Sequence, residues 1–255
     1  MASTPPQIFA PTRRVAVRAR MHARQTRADA ARYLFEDIAE DVAERLAFLR
    51  HQPARALVIG DPAGFIGKAI GAPITHADPV PGAAPLTIDL EHPWPIGAFD
   101  LIVLAFALDT ANDLPGTLIH ARGALAPGGL LLATMLGAGS LPALRRIMLA
   151  ADGDRPSPRL HPQVDVRAAA QLLQRAGLSD PVADSRTLDV RFRSLDMLLS
   201  DLRDHGLGNV LREGGPAASK SALARAHAAF RADADADGRV TEHFELLTLS
   251  GWRPR

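Results

Sequence analysis

Between residues 29 and 50, Leu34, Ile38, Val42, Leu46 and Leu49 recur every three or four positions, while Glu36, Glu40, Asp41, Glu44 and Arg45 take the other side. That period predicts an amphipathic helix with one buried face. From residue 54 the pattern changes to short apolar runs alternating with helical segments. The strand-like runs are "RALVIG", "PITHAD", "LTID", "FDLIVLAFAL" and "LLLATML"; the helical ones are "FIGKAIG", "LPGTLIHARGAL" and "LPALRRIMLAA". Strands that are apolar throughout, alternating with helices, predict a mostly parallel sheet covered on both faces.

Beyond the proline-rich connector "GDRPSPRLHPQ" the periods predict a capped helix over Asp165 to Ala176, ended by Gly177 where a left-handed cap is expected. "TLDVRF" alternates in period two and reads as a strand. Helices follow at Leu195 to Asp204 and Ser219 to Ala232, and the leucine stripe of the first reads as core or lid packing. The closing run "VTEHFELLTLSGW" predicts a strand that pairs antiparallel with "TLDVRF". The expected organisation is an N-terminal basic and amphipathic helical extension, 1–50, followed by one α/β domain, 51–255, that includes a helical insertion at 193–232.

Composition narrows the chemistry. A chain of 255 residues buries a full-sized core, and its lack of cysteine excludes a disulfide framework, a thiolate nucleophile and any Cys-ligated metal. A reducing, cytoplasmic setting is the default. The nearest of the nine histidines stand sixteen positions apart, so no local ligand pair exists and no metal site is expected. Asp233, Asp235, Asp237 and Gly238 imitate an EF-hand loop, but Phe244 stands where the bidentate glutamate belongs, so the segment reads as a polar turn. "GAGSL" lacks the spacing of a nucleophile elbow.

Net charge is +1, yet the first 28 residues hold six arginines (Arg13, Arg14, Arg18, Arg20, Arg24 and Arg27) and no acid. Such an arm suits a transit peptide, a phosphate-binding arm or a basic helix lying on its own domain, and the last reading is preferred. The same helix would allow peripheral association with the inner face of a membrane. One tyrosine, two tryptophans and nine phenylalanines offer few stacking platforms, which disfavours nucleic acid as a partner.

In open parallel sheets ligands bind beyond the carboxyl ends of the strands, where the strand order reverses. Three sequence elements would meet there: the turn after "ALVIG" with Gly60, Asp61 and Gly64; Asp78, at the end of "PITHAD", in the place of an acid that accepts hydrogen bonds from a ribose; and Asp89 with Leu90, placed to touch a base edge.

The run "FDLIVLAFALDTANDLPGTLIHARGALAPGGLLLATML" resembles the central half of a class I S-adenosylmethionine (SAM) methyltransferase. More narrowly, "PPQIF", "NDLPGTLIHARGALAPGGLLLATMLG", "SPRLHPQVDVRAAAQLLQRAGL", "RSLDMLLSDLRDHGLGNVL" and "DGRVTEHFELLTLSGWRP" resemble bacterial relatives of the mitochondrial complex I assembly factor. The resemblance implies a Rossmann-like sheet with an antiparallel C-terminal end, SAM as cofactor, and a protein partner among respiratory-complex subunits. Modification of a subunit arginine, a hydroxylation in the mitochondrial protein, is the implied chemistry.

Three departures fall on the cofactor half. Val58 replaces the family's loop acid, although Asp61 stands ready as a substitute partner for ribose or ammonium. Pro62 removes a backbone N–H and fixes φ near about −65° in a turn that favours glycine. Only "PVPGAA" separates Asp78 from Pro85, too little for a helical crossover between parallel strands, so the third strand is expected to be absent or to enter the sheet differently. "LDTAND" also replaces the family's "LHWVND" and removes an aromatic surface. Weakened or lost SAM affinity is the expectation. Three functions stay open: a SAM-dependent enzyme acting on a protein partner, a non-catalytic assembly scaffold, and a nucleic-acid binder using the arginine arm.

Overall fold

A computed structural model describes residues 6–255; residues 1–5, which include the first proline of "PPQIF", lie outside the described residues. Helix α1 (Pro11–Gln25) starts on a proline, whose fixed φ suits a first helical position. Helix α2 (Tyr33–Phe48) matches the amphipathic period, and its buried side is Leu34, Phe35, Ile38, Val42 and Leu46. The chain then alternates β1 (Ala56–Ile59), α3 (Phe65–Ile70), β2 (Ile74–Asp78), β3 (Leu86–Thr87), β4 (Phe99–Ala105), a short 3-10 turn (Leu108–Thr110), α4 (Leu114–Ala124), β5 (Leu125–Leu136), α5 (Pro142–Asp152) and α6 (Val166–Arg175). It ends with β6 (Ser179–Phe192), α7 (Leu195–Asp204), α8 (Lys220–Ala232) and β7 (Val240–Trp252).

The seven strands order as β3-β2-β1-β4-β5-β7-β6. Pairing is parallel from β3 through β5, and β7 runs antiparallel between β5 and β6. Alternation along each strand divides the core. Val58, Leu101, Val103, Leu130 and Leu132 face the layer that holds α2, α5 and α7, whereas Leu57, Ile102, Leu104 and Leu131 face α4 and α6. Because α2 shares its cluster with the sheet, the N-terminal extension is welded to the core at that helix.

Two sequence expectations need correction. The third strand is neither absent nor differently placed: it lies parallel to β2 with Ala77 opposite Leu86 and Asp78 opposite Thr87. Seven residues without a helix suffice because the overlap is only two rungs long, so the chain scarcely has to return along β2. "TLDVRF" is only the second half of β6, which begins at Ser179; β7 supplies partners along the whole length. Its first half carries no clean alternation, which concealed it.

Candidate cofactor cleft

The strand order reverses at β1, flanked by β2 and β4, so the carboxyl ends of these strands define the cleft where a nucleotide would lie. Gly60 leaves β1 with φ 90°, and a Cβ there would stand 2.1 Å from the Ala105 carbonyl oxygen. Only glycine fits so close an approach. Gly64, φ 74°, opens α3. Asp61 turns toward that helix: its Oδ2 accepts from the Gly67 amide at 2.9 Å, while Oδ1 is buried without a partner. Its engaged oxygen thus quiets a backbone donor of the first turn of α3.

Asp78 ends β2 and is 1% exposed. It faces helix α1. Arg18 donates to it through Nη2 at 2.7 Å and Nε at 3.3 Å, and the Val80 amide donates to Oδ1 at 2.9 Å. His22 Nε2 lies 3.0 Å from Oδ2, off the line of a true hydrogen bond. Burial alone would raise the carboxyl's pKa; contact with His22 and the Arg18 guanidinium outweigh it and hold the group well below the usual carboxylate range. Arg18 also donates to the Phe106 carbonyl at 3.1 Å, and its Nη2 stands 3.2 Å from where a Cβ of Gly60 would be. The guanidinium therefore sits over the glycine corner.

One turn earlier, Arg14 reaches across to Glu91 and to the Thr110 carbonyl at 3.0 Å. Glu91 in turn accepts from the Asn112 amide at 2.9 Å. The Asn112 side chain pairs with the backbone of Phe9, accepting from its N–H at 2.8 Å and donating to its carbonyl at 3.2 Å. These contacts bind α1 along the edge of the sheet. Between Arg14, Arg18, Phe106, Thr110 and His161 a cavity of about 10 Å³ is left, close to the least that holds one water.

The remaining expected residues stand apart from this contact. Asp89 is an exposed turn residue whose oxygens accept from the Glu91 amide at 3.0 Å and face His92 Nδ1 at 2.8 Å. Leu90 is buried in the core below. The cleft thus brings together Gly60 and Asp78 with Arg14, Arg18, His22 and Glu91, none of which sequence reasoning singled out as site residues. A signal existed: residues 14, 18 and 22 are cationic or titratable at four-residue intervals and share one helix face.

Of the six arginines, Arg14 and Arg18 are buried in the cleft, Arg24 pairs with buried Asp204, Arg13 donates to the Leu211 carbonyl at 2.8 Å and Arg27 pairs with Asp29. The preferred reading of the arm as a helix on its own domain describes this placement. Among the described residues no cluster could hold a metal ion, and no helix is long and apolar enough to cross a membrane.

The sheet order and the reversal beside the glycine turn are those of a class I methyltransferase fold. In sequence the chain is similar to mitochondrial arginine-hydroxylase NDUFAF5 of Rattus norvegicus, 27% identical over 241 residues that span 87% of this chain and 70% of the relative. It is also similar to the malonyl-acyl-carrier-protein O-methyltransferase of Gallionella capsiferriformans, 24% identical across 89% of this chain and 86% of that one. Among solved structures, the YcgJ protein of Bacillus subtilis superimposes with a TM-score of 0.52 at 11% identity, covering 85% of this chain and 99% of its own. A Bacillus halodurans C-125 protein assigned to the methyltransferases gives 0.51 at 11% identity, with 84% and 99% covered. No protein-family model matches the chain.

Proposed function

We propose that this protein is a methyltransferase-fold assembly protein that acts through a protein partner and has lost SAM binding, its cofactor cleft filled by its own N-terminal helix. One observation carries the reading: Arg18 holds Asp78 with two donors and covers Gly60, the two positions a nucleoside and its methionine tail would need. The residues present do not fit SAM. Ribose hydroxyls would have to displace a guanidinium from a buried carboxylate, leaving both charges without their partner, and removal of one member of such a pair typically costs about 3–5 kcal/mol. Pro62 and Val58 withdraw an amide and a charge from the same corner.

The resemblance to the complex I assembly family supports a respiratory-complex subunit as the partner. The arginine arm supports neither a nucleic-acid nor a membrane role, because five of its six guanidinium groups already have internal partners. An enzyme whose α1 swings aside is the second reading, favoured by relatives named as methyltransferases and hydroxylases that match most of the chain. Incubation of the protein with tritium-labelled SAM and a bacterial extract separates the two. No labelled band above a protein-free control is expected; a band that depends on the added protein overturns the scaffold reading.

A further inference from the structure

Strand β6 is the outermost strand of the sheet, and nothing in the described chain pairs with its free side. Which backbone groups lie on that side follows from β7. The Gly137 N–H donates to the Glu245 carbonyl at 2.8 Å and the Arg253 N–H to the Gly129 carbonyl at 2.9 Å, so odd-numbered residues along β7 direct both backbone groups at β5 and even-numbered ones at β6. The unbroken register from Val182 opposite Ser250 to Phe192 opposite Val240 pairs even with even. Ala183, Ser185, Thr187, Asp189 and Arg191 therefore turn their N–H and C=O groups outward, and no hydrogen bond from the rest of the described chain reaches them.

Such an edge is a template for another strand unless a proline, a bulge or an unpaired charge blunts it. Pro181 and the register shift lie before Val182, and neither kind of interruption recurs over residues 182–192. The charges of this stretch cancel, Asp184 and Asp189 against Arg186 and Arg191, and Arg186 is held by Asp37 and Asp41 of its own α2. The outward residues are symmetric about Thr187. We propose that two copies of this chain associate by antiparallel pairing of their β6 strands around a two-fold axis at Thr187.

In that register Thr187 meets its own copy, Ser185 meets Asp189 and Ala183 meets Arg191, so every outward N–H and C=O of both strands finds a partner. On the other face Asp184 stands opposite Val190, Arg186 opposite Leu188 and Val182 opposite Phe192. No like charges are opposed, and threonine–threonine and serine–aspartate are cross-strand pairs that can hydrogen-bond. A register shifted by two residues leaves Ala183 or Arg191 without a partner. Apolar surface follows the same symmetry. Phe48, 86% exposed at the end of α2, lies one turn past Arg45, which holds Asp184 near the start of β6. Val182, two residues before Asp184, is exposed too, and Met197 is exposed in the first turn of α7, past the other end of the strand. The two-fold axis brings the start of one strand to the end of the other, setting Phe48 and Val182 toward Met197 of the second copy and taking apolar surface out of water. The pairing does not depend on whether SAM binds.

Sedimentation equilibrium of the full chain should give twice the mass of one chain, and Thr187→Pro, which removes an outward N–H that the fold itself does not use, should raise the dissociation constant at least tenfold. The chain has no cysteine, so single-cysteine variants report the register directly. Thr187→Cys treated with oxidised glutathione should give a covalent dimer, since directly opposite Cα atoms at about 5.5 Å are within disulfide reach. Ser185→Cys should not, because its two copies are offset by about 13 Å along the strands. These two variants are decisive if Thr187→Pro fails to fold. A single-chain mass at high micromolar concentration, a dimer indifferent to Thr187→Pro, or Ser185→Cys linking as readily as Thr187→Cys would overturn the proposal; the first result would leave the edge to a strand of a different protein.

Discussion

Arg18 and Asp78 are both buried, and each is the other's principal countercharge. Buried pairs of this kind are weak sources of net stability compared with apolar residues of the same volume, but removing one partner strands the other. Arg18→Ala should therefore destabilise the fold by about 3–5 kcal/mol. The double variant Arg18→Met with Asp78→Leu, which removes both charges and keeps the volume, should lose much less. Urea denaturation of the two variants measures the difference. Equal losses would mean that the guanidinium contributes packing and not charge.

At the scale of elements, α1 is held at its two ends by groups with different responses to acid. His161 is half-buried, and its Nε2 accepts from the Val210 amide at 2.9 Å; its ring stands edge-on to Phe9 at 5.1 Å. Burial lowers its pKa to about 4, so the native contact needs the neutral ring. The unfolded chain takes up this proton near pH about 6.5, so the stabilisation is complete above that value and is lost as pH falls toward 4. Asp78 behaves differently: its folded pKa lies far below that of a free carboxylate, so the stabilisation from the Arg18 contact is complete above pH about 4 and is lost only as pH falls from there toward the folded value.

His205 resembles His161, with a pKa also lowered to about 4, but neighbouring Asp201 is raised to about 6 and gains from the same acid that His205 resists. The loosening should therefore begin at the Phe9–Val210 end. Hydrogen exchange at pH 4.5, compared with pH 7 after correction for intrinsic rates, should show lost protection in residues 8–12 and 207–212. Residues 16–22 and strands β4 and β5 should stay protected. Simultaneous loss across α1 and β5, or no loss anywhere, would contradict this division.

The same scale shows what the sequence could disclose. Helix α2, the parallel strands and the antiparallel end follow from hydrophobic period, because each buries a regular face against the sheet. The brief β3 does not, since two rungs of backbone pairing need no pattern of side chains. Glycine and acid positions at the cleft were legible from topology, for the strand ends bring Gly60 and Asp78 together. Their partners were legible only as a shared helix face, from the four-residue spacing of Arg14, Arg18 and His22: the Arg18–Asp78 contact spans sixty residues, and that spacing does not say what the face meets.

For the whole molecule, fold and chemistry separate. The seven-stranded order is that of a methyl-transfer scaffold, yet the carboxylate, glycine corner and carbonyl that border its cofactor position are satisfied from within the chain. On the proposed reading, such a protein offers its surfaces to a partner. The most direct measurement is calorimetric titration of the full chain with SAM and with S-adenosylhomocysteine. The filled cleft predicts no binding heat with either ligand up to millimolar concentration; micromolar binding that disappears in Asp78→Ala would contradict it.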